Sequence, residues 1–345
     1  MLKLNHTSSA STALFSRRKI LQICGVAGVL GAIYYYGFVP RSQLKVVKHT
    51  QLLMGTIVNI TVCAEEKQPA QEAISACIAR MEELSDMMST YVPDSPISRL
   101  NREGILTDAP RELIEIFSMS HQLSELTGGA FDPTIFPLLG RYKEVRKSGI
   151  LPPPAEIEEL LELVNYRNII IEQGNTIRYA SPGTQATLDG IAKGYIVDRG
   201  IDVLKSSGFS NAYVEAGGDL MTIGTRQDGT PWKIGIRNPR SDDLKKMDTI
   251  KLSNRAIATS GDYLQYFTDD KKTHHILNPF TGFSPVETAS SSIIAPTVAQ
   301  ADGLATATMV LGPGAAVELV EAIPECEGYF FDKELNKFKT TGFFS

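Results

Sequence analysis

Helical and strand-like periodicities are interleaved along this chain without the regular strand–helix–strand alternation of a doubly wound sheet. The run Met54–Val62 (MGTIVNITV) is β-branched and reads as a strand. Between Gln68 and Leu84, apolar residues at Ala70, Ala73, Ile74, Cys77, Ile78, Met81 and Leu84 fall on one face of a helix. Arg111–Leu126 repeats that spacing, and a Pro-rich stretch at Leu151–Ala155 marks an excursion. Segments 167–171 and 176–180 predict a hairpin around Gly174-Asn175. A helix is expected over 191–205, ending near Gly208, with strands at 212–215, 232–237 and 256–259. A helix over 301–311 is stopped by Gly312-Pro313-Gly314, and short strands at 329–332 and 337–341 close the chain. The pattern predicts an α+β fold of mixed sheets with packed helices, and it shows no repeat.

Forty-three per cent hydrophobic and 21% charged residues support a sizeable core and exclude disorder. The net charge is −5, and no acidic residue precedes Glu65. An acidic body argues against a nucleic-acid partner, because binding to phosphates needs a basic face. Ser16-Arg17-Arg18-Lys19-Ile20-Leu21 leads into an uncharged apolar run, Ile20–Val39. This pattern, over residues 1–40, resembles a twin-arginine export signal. No small-residue cleavage site is evident, since Tyr34, Tyr35 and Tyr36 sit where one belongs, so retention as a membrane anchor is a second expectation. Cys63, Cys77 and Cys326 beyond that segment are scattered and have neither disulfide-framework nor metal-ligand spacing.

The common nucleotide and hydrolase fingerprints are missing: no G-x-G-x-x-G after a strand, no Walker loop, no H-E-x-x-H and no G-x-S-x-G. What remains is a series of Gly- and Asp-containing turns, each with an ordinary and a functional reading. Thr127–Thr134 (TGGAFDPT) reads as a glycine helix stop followed by an Asx-Pro turn, or as close backbone approach to a flat ligand beside Phe131 and Asp132. Thr187–Tyr195 (TLDGIAKGY) opens a helix. Asp189 and Lys193 there are a cap and a solvated lysine, or an anion site. Glu215–Leu220 (EAGGDL) reads as a hairpin turn or a close backbone contact. His274 and His275 precede Asn278-Pro279; an imidazole there is structural, solvated, or a base. Asp302 and Thr306 are four residues apart on one helical face. They offer hard oxygen ligands of the kind Mg²⁺ takes, or are a cap and a back-bonded threonine.

Taken in order, these segments resemble the ApbE-type FAD:protein FMN transferases from about residue 50 to the C-terminus. The matching pieces are Met54-Gly55-Thr56, the Ser89–Asn101 loop (STYVPDS…N), TGGAFDPT, GIAKGY, AGGD, Ala258–Tyr263 (ATSGDY), the His274–Gly282 turn and Ala301–Ala307 (ADGLATA). The resemblance implies one flavin transferase domain over 41–345, built of two intertwined subdomains with an FAD site in the cleft between them. It implies FAD as substrate, Mg²⁺ as cofactor, and transfer of FMN to a Thr or Ser hydroxyl with release of AMP. The acceptor would be a flavoprotein subunit of an exported or membrane redox complex, which places the protein in the periplasm or at the outer face of the cytoplasmic membrane. Carried over position by position, Asp302, Thr306 and the Gly190 carbonyl are the metal ligands. Met54, Tyr91, Ala130, Phe131, Asp132, Asp189, Lys193 and His275 line the FAD site. His275 is the candidate base, with Asp302 its rival.

Two positions depart from the family pattern. Thr187 replaces the usual first acid of D-L-G-G-I-A-K-G-Y, with an acid appearing at Asp189, and Asn278 replaces an aspartate. Two other activities use the same residues: a Mg²⁺-dependent FAD pyrophosphatase with water as nucleophile, and a non-enzymatic flavin-binding carrier.

Overall fold

Strands β1 (Lys45–Leu53) and β2 (Thr56–Ala64) open the fold in the computed structural model, which describes residues 44–241, 243 and 247–344. The export segment expected at 1–40 lies outside the described residues. Met54 and Gly55 are the two-residue turn between these strands, at φ 54° and 69°, so the strand expected from Met54 begins at Thr56. A tight hairpin of this kind needs positive φ at both central positions, which Gly tolerates and Met adopts at a cost.

Eight strands form one antiparallel sheet. The order is β1, β2, β6 (Ala212–Ala216), β7 (Asp219–Ile223), β10 (Ala256–Gly261), β11 (Thr288–Ala295), β12 (Glu327–Asp332) and β13 (Lys337–Lys339). A hairpin of β4 (Ile169–Glu172) and β5 (Thr176–Tyr179), joined by β3 (Ile105–Leu106), forms a second small sheet. A ribbon of β8 (Trp232–Ile236) and β9 (Asp248–Leu252) forms a third. Period-two alternation along the strands gives the large sheet two apolar faces. Met221, Ala256 and Ala258 pack with helices α1 (Lys67–Met88), α6 (Ala192–Ser206) and α7 (Val298–Leu311). Their neighbours Leu220 and Ile257 pack with Ile236, Ile250 and Leu252 of the ribbon.

The remaining helices are α2 (Pro96–Glu103), α3 (Arg111–Leu126), α4 (Phe136–Ser148), α5 (Pro154–Leu161) and α8 (Pro313–Glu321). Helices α4 and α5 share a smaller core with Leu277, which anchors the loop 262–287. The Pro-rich excursion therefore leads into a helix. Gly312 does stop α7, but Pro313 at once starts α8, where its missing N–H costs nothing. No helix among the described residues is long and apolar enough to cross a membrane.

Candidate functional site

The crossing of α6 and α7 sets the geometry. Asp198 on α6 accepts the N–H groups of Val298 and Ala299 at 2.9 Å each, so it caps α7 from outside the helix. Burial pushes its carboxyl up to about 6 despite those two donors. Thr297 caps the same end by accepting from Gln300 N–H. Asp302 is therefore not a cap: it lies inside α7 and sends its carboxylate sideways, where Oδ2 accepts the Gly194 N–H at 3.0 Å. Gly194 is what lets α6 come this near, because a Cβ there would sit 2.6 Å from the Val298 carbonyl carbon and 2.8 Å from Ala299 Cα.

Thr306 is one turn further along α7, with Oγ1 3.4 Å from Ser260 Oγ on β10. It makes no bond back to the helix carbonyls, so the back-bonded reading fails too. Gly190 packs close to it: a Cβ on Gly190 would lie 3.3 Å from Thr306 Oγ1 and 3.1 Å from Phe131 Cε2. Gly190, Phe131, Asp302 and Thr306 are thus brought together from three separate parts of the chain. Burial pushes the Asp302 carboxyl up, Lys193 and the Gly194 N–H oppose that, and Asp189 adds to it. Among the described residues no hydrogen bond reaches Oδ1 of Asp302. Among the described residues no group of three or more His, Cys, Asp or Glu side chains could hold a metal. The side-chain donors that fit a cation here are one carboxylate and one hydroxyl. That is a hard-oxygen set for Mg²⁺, to be completed by ligand oxygens and water.

Charged groups ring this point. Lys193, in the first turn of α6, pairs with the buried carboxylate of Asp219. Asp189 is exposed; it does not cap α6, whose first residue is Ala192, and its backbone N–H donates to Thr187 Oγ1 at 3.2 Å. His275 lies within electrostatic reach of Asp189, Lys193 and Asp302. Its Nδ1 is 2.9 Å from the Gln265 carbonyl oxygen. A carbonyl only accepts, so Nδ1 carries the hydrogen and Nε2 keeps a free lone pair. Burial lowers the His275 pKa, which favours the neutral ring a general base requires.

Other expected residues take different roles. Both Asp132 oxygens are used by the fold: Oδ1 accepts the Thr134 N–H and hydroxyl at 2.8 and 2.6 Å, and Oδ2 the Tyr166 N–H at 2.9 Å. The Asx-Pro turn is therefore its local role, and burial raises its pKa. Ala130 and Phe131 are buried beside it, after Gly128 and Gly129 at φ 60° and 91°. Tyr91 is 73% exposed, and its hydroxyl accepts from Lys143 at 2.8 Å. Met54 sits in the β1–β2 turn next to the Gly217-Gly218 turn, whose Gly217 N–H donates to Ile57 O at 3.1 Å. His274 is fully buried with Nδ1 unpartnered, and burial pulls its pKa down to about 4.

Three residues escaped the sequence reading: Asp198, Asp219 and Ser260. The last two fall in the AGGD and ATSGDY segments, so the segments were visible although the roles were not. A cavity of about 610 Å³ also lies on the ribbon side of the large sheet, lined by Tyr213, Trp232, Leu220 and Ile257 among others. Asp302, Thr306, Gly190 and His275 are not among its lining residues.

The ApbE family model matches residues 54–330. An FAD:protein FMN transferase of Vibrio cholerae is 33% identical over 277 residues, covering 78% of this chain and 82% of that protein. Among solved structures, the ApbE protein of Thermotoga maritima matches with TM-score 0.78 and 31% identity, over 87% of this chain and 98% of that one. The flavin transferase ApbE of Vibrio cholerae matches with TM-score 0.75 and 29% identity, over the same shares. With the architecture, the motif order and these matches in agreement, the chain belongs to the ApbE family.

Proposed function

We propose that this protein transfers FMN from FAD to a Thr or Ser hydroxyl of an acceptor flavoprotein and releases AMP. The observation that carries this reading is the convergence of Asp302, Thr306 and Gly190 beside Lys193 and His275. Curated relatives that share the fold are FAD:protein FMN transferases, which supports the same activity here.

The acceptor hydroxyl oxygen forms a bond to the phosphorus that carries riboflavin. The bond from that phosphorus to the bridging oxygen breaks, and AMP leaves with that oxygen. The hydroxyl proton passes to Nε2 of His275. Displacement at a diphosphate needs positioning and neutralised charge more than covalent help from the enzyme. Mg²⁺, held by Asp302, Thr306 and the Gly190 carbonyl, would supply Lewis acidity to the diphosphate. Lys193 adds a fixed positive charge, and Phe131 and Met54 offer apolar surface to the nucleotide. The basic, apolar start of the chain supports export, with action outside the cytoplasmic membrane on a subunit of a redox complex.

The test is incubation with FAD, Mg²⁺ and candidate acceptor flavoproteins, read by mass spectrometry for FMN on Thr or Ser. Asp302→Ala is expected to slow transfer at least about 10²-fold, the scale of losing one preorganised electrostatic group. Steady release of FMN and AMP without acceptor would replace the transferase by a pyrophosphatase. FAD recovered intact in the presence of Mg²⁺ and acceptor would leave only a carrier.

A further inference from the structure

We infer that Asp219 is a positioning residue: it fixes the Lys193 ammonium as a preset donor to the diphosphate of the nucleotide. This rests on the site reading above and names the group that makes one of its charges effective.

Lysine binds phosphate as a point charge on a flexible stem. Its four-carbon stem is free to rotate, and holding it still costs side-chain entropy. Here the stem is already tethered. Asp219 sits at the start of β7, directly after Gly217 and Gly218 at φ 60° and 103°. That two-residue turn registers Ala216 opposite Asp219. The Asp219 side chain is fully buried, with Oδ1 accepting the Thr259 N–H of β10 at 3.0 Å and Oδ2 facing Lys193. Two adjacent strands therefore hold the carboxylate, and the carboxylate holds the lysine.

The arrangement is one-sided. Among the described residues no other cation pairs with Asp219, so Lys193 cannot swing away without leaving a buried, unpaired carboxylate, a costly state. An ammonium has three donors, so pairing with one carboxylate leaves donors for a second acceptor. Lys193 retains partial exposure, and Asp302 and His275 lie within its electrostatic reach. A bound diphosphate thus meets a lysine that has already lost its freedom. The nearby Asp189 carboxylate is exposed, so it is not held as the buried Asp219 carboxylate is.

The experiment measures affinity for FAD and for riboflavin by flavin fluorescence, without Mg²⁺, so that no turnover is involved. The proteins are wild type, Lys193→Gln, Asp219→Asn and the double variant, each checked for folding by thermal melting. Asp219→Asn keeps an oxygen for the Thr259 N–H, and the double variant carries no buried uncompensated charge. If one variant fails to fold, Asp219→Glu and Lys193→Met replace it. Both single variants are expected to weaken FAD binding about 10-fold, the scale of one charge-assisted hydrogen bond, and to leave riboflavin unchanged. The double variant is expected to be no weaker than Lys193→Gln alone. Weakened FAD binding in Lys193→Gln with normal binding in Asp219→Asn overturns the positioning role alone. Normal FAD binding in both overturns the site reading with it. Equal losses for FAD and riboflavin, or additive losses in the double variant, reduce Asp219 to a structural residue.

Discussion

Gly194→Ala probes the helix crossing on which the site depends. In an isolated helix the change stabilises by about 1 kcal/mol, because alanine is the better helix former. At this position the new methyl meets backbone, 2.6 Å from the Val298 carbonyl carbon and 2.8 Å from Ala299 Cα. Backbone at a capped helix start cannot rotate aside as a flexible side chain does, and Asp198 pins these same two residues. Overpacking of this kind costs about 1–3 kcal/mol or more, and the rigid obstacle puts it at the upper end. The net expectation is a loss of about 1–2 kcal/mol, or about 1–3 °C in Tm for a chain of this size. The shift also moves the Gly194 N–H that fixes Asp302, so Mg²⁺-dependent FAD binding weakens with stability. Gly314→Ala in α8 is the control. Its Cβ would meet nothing within 4 Å, and it should melt at or slightly above wild type. Thermal melting and fluorescence titration read both effects. A Gly194→Ala protein that melts no lower than Gly314→Ala would refute the crossing argument.

Gly190→Ala places a methyl 3.3 Å from Thr306 Oγ1 and 3.1 Å from Phe131, and should raise the Mg²⁺ concentration needed for turnover while shifting Tm by less than Gly194→Ala. Metal titration of activity beside melting checks this. His274 is buried with its pKa pulled down to about 4, against an ordinary 6.5. Its contribution is full above pH 6.5 and is lost as pH falls toward 4, about 3 kcal/mol at most. Urea midpoints at pH 7 and pH 4.5 should fall with acid in wild type and fall less in His274→Gln. Equal acid sensitivity in the two proteins would assign the loss to other groups.

Amphipathic segments were legible in the sequence, and segments that bury polar or wholly apolar surface were not. Arg111–Leu126 was read to the residue, because one face is apolar and the other charged. Strand β11, TASSSIIA, was missed although all eight residues are buried. Its serines look like loop, but their hydroxyls are matched across the sheet and α7: Ser291 with Thr308 at 2.7 Å and Ser292 with Thr259 at 2.8 Å. The first turn of α7 was missed for the opposite reason, being buried on nearly every side and so without a polar face to set a period. The Met54-Gly55 turn lacks the Asn or Asp that usually announces positive φ. Asp302 and Thr306 were legible as a pair because helix spacing alone puts them on one face. Asp198 and Asp219 were not, since their partners lie about 100 and 26 residues away in sequence and only the folded sheet and helix crossing bring them together.

The large sheet joins β2 at residues 56–64 to β6 at 212–216, and its site-bearing helix α7 arrives only at 298–311. Pairings so distant along the chain close late and slowly. A ribosome that has released the first three-quarters of this polypeptide has made Lys193 and Asp219 but not yet the carboxylate and hydroxyl that face Gly190. Any flavin nucleotide held by all of them must wait until synthesis is nearly finished.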